Sequence, residues 1–205
     1  MPDWLLVTPT EMERNVLTHQ AAFQELNLPL EVCGFGPISC AAAISKRIVD
    51  AAPSRVLLIG IAGGYSADIV GKAFEFGQVS IDGIGCGHGM KFQTAGEMGW
   101  QQWQSGNELI GDEIQLSRSN QNRLLTVCAA SADQKHAELR SVKYNAIAED
   151  MEGFGAAMAC KLANIPLTIV RGISNVAGDR NHDRWQTTEA LARAAELANQ
   201  KVRMG

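Results

Sequence analysis

The stretch Val56-Leu-Leu-Ile-Gly-Ile-Ala62, running on into Gly63-Gly64, decides the fold class. No polar side chain interrupts it, so a strand here is covered on both faces, as the strands of parallel sheets are. It is much too short to cross a bilayer. Leu5-Leu-Val7, Leu30 to Phe35, Ala73 to Ile81, Leu124 to Ala129 and Leu167 to Ile173 are further short aliphatic and β-branched runs that predict strands. Between them the periodicity predicts helices over Glu11 to Leu26, Ile38 to Ala51 behind a first-turn Pro37, Asp133 to Val142, Glu152 to Ala163 and Thr187 to Lys201. Strand and helix alternate. The expected architecture is therefore a single α/β domain over residues 1–205, with a mixed, mostly parallel central sheet flanked by helices.

Composition narrows the function. Hydrophobic residues make up 46% of the chain and charged ones 20%, without low-complexity tracts, which is the make-up of an ordinary globular protein. A net charge of −4 with no basic run excludes a nucleic-acid partner, because neutralising phosphates needs clustered Lys and Arg. The start, Met1-Pro-Asp-Trp4, has no basic segment ahead of an apolar core, so no leader, no membrane attachment and a cytoplasmic location are expected. Five cysteines (33, 40, 86, 128 and 160) form no CxxC pair and no zinc spacing, and they suit reduced thiols packed among apolar residues. A redox couple of Cys33 and Cys40 is the weaker alternative. His19, His88, His136 and His182 share no HExxH-type spacing, so no metal is expected.

In such sheets ligands collect at the carboxyl ends of the strands. The segments to inspect are Thr8 to Glu13, Gly34-Phe-Gly-Pro37, Gly60 to Tyr65, Glu149 to Glu152 and Arg171 to Arg180. Gly60-Ile-Ala-Gly-Gly64 lets a backbone approach a ligand closely or simply makes a turn. Glu149-Asp-Met-Glu152 precedes an apolar helix, where carboxylates cap the helix or grip sugar hydroxyls; the two roles can fall to different residues. Glu11 and Glu13 open the first helix, where a carboxylate caps the turn or serves as a general base toward water. His182 beside Asp183 lies in so polar a stretch that a solvated loop is expected. Residues 82 to 108, rich in Gly and Gln, form a long excursion that is either a lid or a partner-facing segment.

Taken in order, these segments resemble the purine nucleoside phosphorylase and nucleosidase superfamily; the specific matches are Glu149-Asp-Met-Glu-Gly153 and Arg171-Gly-Ile-Ser-Asn175. With Thr8-Pro-Thr-Glu-Met-Glu13 and Trp185, they most resemble the futalosine-hydrolysing members. The resemblance implies a nucleoside phosphorylase-like fold. It also implies hydrolysis of an N-glycosidic bond without metal or organic cofactor, futalosine giving hypoxanthine and dehypoxanthinylfutalosine on the way to menaquinone. A homo-oligomer, dimer or tetramer, with a small-molecule nucleoside substrate is implied too. By the same resemblance Glu152 holds the ribose hydroxyls with Met151 against the sugar, Glu13 activates water with Glu11 as second choice, and Arg171 orients that region. Gly63 and Gly64 admit the nucleoside. Asn175 reads a 6-oxopurine, where adenine-specific relatives have an aspartic acid, and Ser174 supports its neighbours. Ile61 stands where methylthioadenosine nucleosidases carry a serine near the water. A carboxyphenyl group at the 5′ end calls for an apolar wall with one cation, for which Lys91 and His88 are candidates. Alternatives are a nucleosidase for methylthioadenosine, S-adenosylhomocysteine or aminodeoxyfutalosine, a phosphorylase, and a non-catalytic nucleoside-binding protein on the same fold.

Overall fold

A computed structural model describes residues 3–204; Met1 and Pro2, on which the expectation of a leaderless start partly rests, lie outside them. Along the chain the strands are β1 (Trp4–Thr8), β2 (Leu30–Val32), β3 (Arg55–Gly64), β4 (Ala73–Phe76), β5 (Gln78–Asp82), β6 (Gly85–Cys86), β7 (Gln93–Thr94), β8 (Trp103–Ser105), β9 (Glu108–Ile110), β10 (Glu113–Gln115), β11 (Arg123–Val127), β12 (Ala148–Asp150) and β13 (Leu167–Val176). The helices are α1 (Glu11–Thr18), α2 (Ala21–Gln24), α3 (Pro37–Ala51), α4 (Gln134–Tyr144), α5 (Gly153–Leu162) and α6 (Thr187–Met204). No helix among the described residues is long and apolar enough to cross a membrane.

Nine strands form one sheet in the order β10-β5-β11-β12-β3-β1-β2, with β13 joined to β3 and β4 joined to β13. Parallel pairings dominate, and β10, β12 and β4 supply the antiparallel ones. The quoted apolar stretch is the hub. Along β3, Val56 and Leu58 enter the core shared with α3 and α5, while Leu57 and Ile59 enter the core shared with α1, α2 and α6. The side chains alternate with period two, yet both sets are buried, which is why the stretch reads as continuously apolar. The molecule is a single α/β domain of helix, sheet and helix layers.

Three expectations change. The helix expected over Glu11 to Leu26 breaks after Thr18, where Gln20 is extended and its side chain caps the carbonyl of Val16. The break turns Phe23 into the core beside α6. The strand expected over Ala73 to Ile81 divides at Gly77, where a Cβ would overlap the carbonyl of Asn120, so β4 pairs with β13 and β5 with β11. Finally, β13 runs past Ile173 through Asn175 to Val176, with an irregularity between Ile173 and Asn175. Asn175 is thus a strand residue rather than a cap of the following turn. The 82–108 excursion folds into two small hairpins, β6–β7 and β8–β9, outside the main sheet.

Candidate active site

Near its carboxyl end β3 has a partner on each side: Glu149 of β12 pairs with Gly63, and so does Asn175 of β13. A cavity of about 320 Å³ opens over this row. Buried Glu13, Glu149, Glu152, Ser174 and Asn175 line it together with Gly63 and Met151. Its wall also includes Met12 and Phe35, which are 49% and 65% exposed, and Arg180, His182 and Trp185. The buried part of the wall sets its acidic and polar groups beside Pro9, Ala62, Val127 and Ala177, and the more exposed part is apolar with Arg180 and His182.

Glu13 is placed by the start of α1. Thr10 caps that helix by accepting from the Glu13 amide at 3.2 Å, and its hydroxyl donates to Glu13 Oε2 at 2.7 Å. The amide of Ile61 donates to Glu13 Oε1 at 2.9 Å. Glu11 has another fate: it is exposed, pairs with Arg14 at 2.6 Å and does not line the cavity. Of the two candidates for water activation, only Glu13 lines the cavity.

The acidic run divides its labour. Asp150 accepts from the Gly153 amide at 2.9 Å, and the Thr126 hydroxyl accepts from the Phe154 amide at 2.7 Å, so the start of α5 is capped without Glu152. Glu152 instead accepts from the Gly36 amide at 3.0 Å and from Arg171 Nη2 at 3.2 Å. Burial pushes its carboxyl up to about 7, with Asp150 and Glu13 adding to the rise and Arg171 opposing it. Arg171 is fully buried and pairs with Asp150 through Nε at 3.0 Å and Nη2 at 2.5 Å. Burial alone would lower its pKa, but Asp150, Glu152 and Glu13 together hold it above the ordinary arginine value. The guanidinium does not line the cavity; it acts from behind, through the carboxylates.

Asn175 Oδ1 accepts from Ser174 Oγ at 2.8 Å, and Nδ2 donates to the carbonyl of Val176 at 2.9 Å. One N–H and one lone pair remain for a ligand. Gly63 faces Ala177 and lines the cavity, whereas Gly64 packs behind it against Ile173 and Ile69. Lys91 and His88 do not line the cavity; its one basic lining residue among those described, apart from His182, is Arg180, whose guanidinium lies 5.7 Å from the Trp185 ring centroid. His182, expected in a solvated loop, is exposed but also borders the cavity, its ring 4.3 Å from that of Trp185.

Sequence reasoning missed a second buried polar cluster. Glu149 accepts from Ser131 N at 2.7 Å, Ser131 Oγ at 2.6 Å and Tyr65 Oη at 3.0 Å. Arg140 lies 3.6 Å from Glu149, donates to Ser131 Oγ at 3.1 Å and pairs with Asp82 at 2.7 Å. Burial, then Glu149, drive the Tyr65 hydroxyl far above its ordinary pKa, so it donates as a neutral phenol. The partners lie just after β3 (Tyr65), on β5, before and on α4 (Ser131 and Arg140) and on β12, and no local spacing announces them. Among the described residues no cluster of three or more His, Cys, Asp or Glu side chains is placed to hold a metal ion, and all five cysteines are unpaired.

Comparison with known proteins bears on the fold. The chain has the nucleoside phosphorylase-like fold. Residues 113–203 match the family model described as the Phosphorylase superfamily. The 5′-methylthioadenosine/S-adenosylhomocysteine nucleosidase of Helicobacter pylori superposes with a TM-score of 0.76 at 14% identity, covering 100% of this chain and 99% of that one. In sequence, the futalosine hydrolase of Streptomyces coelicolor is 43% identical over 54 residues, 26% of this chain and 23% of that protein. The aminodeoxyfutalosine nucleosidase of Campylobacter jejuni is 24% identical over 170 residues, 78% of this chain and 72% of that one. The match to the Streptomyces protein thus spans under a quarter of that protein's length, while these relatives and this structure are all named for cleaving or hydrolysing nucleosides or futalosine.

Proposed function

We propose that this chain is a nucleosidase that hydrolyses the N-glycosidic bond of futalosine, giving hypoxanthine and dehypoxanthinylfutalosine. The observation that carries the choice is Asn175, buried in the wall of the same cavity as Glu13 and Glu152. An asparagine offers its NH2 to O6 of a 6-oxopurine and its carbonyl to a protonated N7. It has no titrating proton to give, so N7 takes its proton from solvent.

Bond cleavage passes through a ribosyl oxocarbenium-like state, and catalysis must favour that charge. The Glu152 carboxylate binds the 2′ and 3′ hydroxyls and sets negative charge near C1′, with Met151 against the sugar. The C1′–N9 electron pair leaves with the purine, neutralised by the proton at N7. Water adds at C1′ and gives its proton to Glu13, from which it returns to solvent. Arg171 positions Glu152 and Asp150 and is a positioning residue rather than a catalytic one. Arg180 with Trp185, Phe35 and Met12 suits an apolar 5′ substituent that ends in a negative charge. With this reading go a cytoplasmic location and a homo-oligomer.

The test is incubation of the purified protein with futalosine, aminodeoxyfutalosine, methylthioadenosine and inosine, with and without phosphate, following base release. Hypoxanthine from futalosine, independent of phosphate, is expected. Adenine release at a comparable rate would favour the second reading, an aminodeoxyfutalosine nucleosidase, to which the extent of the Campylobacter match lends support.

A further inference from the structure

Glu149 is a buried carboxylate in the cavity wall that the hydrolytic scheme leaves unused. We propose that Glu149 is a specificity-determining residue that accepts a hydrogen bond from N1–H of a 6-oxopurine, opposite Asn175. This rests on the nucleosidase reading and deepens it by assigning a second reader of the base.

The first support is register. Glu149 and Asn175 both pair with Gly63, one from each side, so their side chains rise from one row of the sheet. Two strand spacings separate their backbones by about 10 Å. Gly63 contributes no side chain between them, and Ala177 borders the space its Cβ would enter, at 3.4 Å.

The second support is acceptor bookkeeping. A carboxylate has about four lone-pair sites. Glu149 Oε2 accepts from Ser131 Oγ and Tyr65 Oη, but Oε1 accepts from Ser131 N alone among the described residues. One acceptor site is left on a side chain that borders the cavity. Arg140, 3.6 Å away and tied to Asp82, supplies compensating charge, and the donors on the carboxylate come from buried Ser131 and from half-buried Tyr65, directly after β3. The group is preorganised as an acceptor.

The third support is the order of groups on the base. Along the edge of a 6-oxopurine run N1–H, O6 and N7: a donor, an acceptor, and the site of protonation. A carboxylate at one end and an amide at the other match that order. A 6-aminopurine presents a lone pair at N1, which a carboxylate repels. Glu149 and Asn175 thus select the same base from both sides, by attraction and by a mismatched acceptor pair.

The experiment compares wild type with Glu149→Gln on futalosine and aminodeoxyfutalosine, which differ only at the 6 position. Calorimetry of hypoxanthine and 1-methylhypoxanthine binding runs in parallel. A charged hydrogen bond lost in the variant predicts that the futalosine-to-aminodeoxyfutalosine ratio of kcat/KM falls by about tenfold or more. Wild type should bind 1-methylhypoxanthine at least about tenfold more weakly than hypoxanthine, and the gap should close in the variant. Equal losses on both nucleosides, or equal binding of the two bases by wild type, would overturn the assignment and leave the nucleosidase reading standing. If wild type releases no base from either nucleoside, the nucleosidase reading fails and the calorimetric comparison still decides Glu149. Should Gln at this position loosen the fold, wild-type binding of the two bases decides alone.

Discussion

Arg171 and Glu13 approach the same face of Gly60: a Cβ there would overlap Arg171 Nη1 and lie 2.7 Å from Glu13 Oε1. Nη1 has no hydrogen-bond partner among the described residues, so the pair is held together by charge and by the absence of a side chain on Gly60. Gly60→Ala should push both groups aside. The expected cost is about 1–3 kcal/mol of stability from overpacking and about a hundredfold in kcat from misplacement. Gly64→Ala is the contrast, since its Cβ would press on Ile173 and Ile69 behind the cavity. It should lower Tm while kcat stays near wild type. Paired thermal melts and base-release assays check both, and a Gly60→Ala enzyme with unaltered kcat would separate the Arg171–Glu13 pair from catalysis.

The two glutamates of the first helix should behave differently. Glu13→Gln removes the only general base that reaches the cavity from α1, and kcat should fall by about 10² to 10⁴. Glutamine keeps an oxygen for the amide of Ile61, and its NH2 can donate to the Thr10 hydroxyl in place of the bond the carboxylate receives from it, so the fold should persist. Glu11→Gln touches an exposed ion pair with Arg14 and should change stability by less than about 0.5 kcal/mol. Steady-state kinetics on futalosine distinguish them; similar losses in the two variants would overturn the assignment.

The sheet and the site were legible to different degrees. Apolar runs such as Val56 to Ala62 announce strands because both faces of β3 are buried, and the same runs place ligand segments at their carboxyl ends. The extension of β13 through Asn175 was hidden, since Ser174 and Asn175 are polar and read as loop residues. The short β12 was hidden for the same reason, for Glu149 and Asp150 are acidic residues whose partners are mostly distant in sequence. Arg140 and Asp82 stand 58 positions apart, a separation no local pattern can bridge. Arg180 was passed over as part of a polar loop, yet Gly178 lets that loop settle against Asp133 at the start of α4, and Arg180 borders the cavity.

Activity should fall with acid while the fold does not. The Glu152 carboxyl, raised to about 7 by burial, is charged above that value and protonated below it. The charge that stabilises the ribosyl cation is therefore lost as pH drops, and kcat/KM should decline on the acid side with a midpoint near 7, well above an ordinary glutamate. Stability runs the other way. With its folded value above its unfolded value of 4.5, this group's stabilising contribution is fully present below 4.5 and is lost as pH rises through about 7. A pH series of kcat/KM beside thermal melts tests this; an acid limb near 4.5 would show that Glu152 keeps its charge when buried.

Asn175→Asp tests whether this residue reads the base or merely holds the strand. In the wild-type chain Nδ2 donates to the Val176 carbonyl, and Ser174 donates to Oδ1. An aspartate keeps the second bond but faces Val176 with an acceptor, a local cost of about 1–3 kcal/mol. The loss at the base is of another kind, because a carboxylate cannot donate to O6 and repels it. Futalosine turnover should therefore fall by about a hundredfold or more, since a site that loses a required donor rejects its substrate strongly. The aminodeoxyfutalosine rate should fall less or rise, because a protonated aspartic acid can serve N7 and its carbonyl can accept from the 6-amino group. Losses of turnover no larger than the loss of stability, equal on both nucleosides, would make Asn175 a strand-holding residue only.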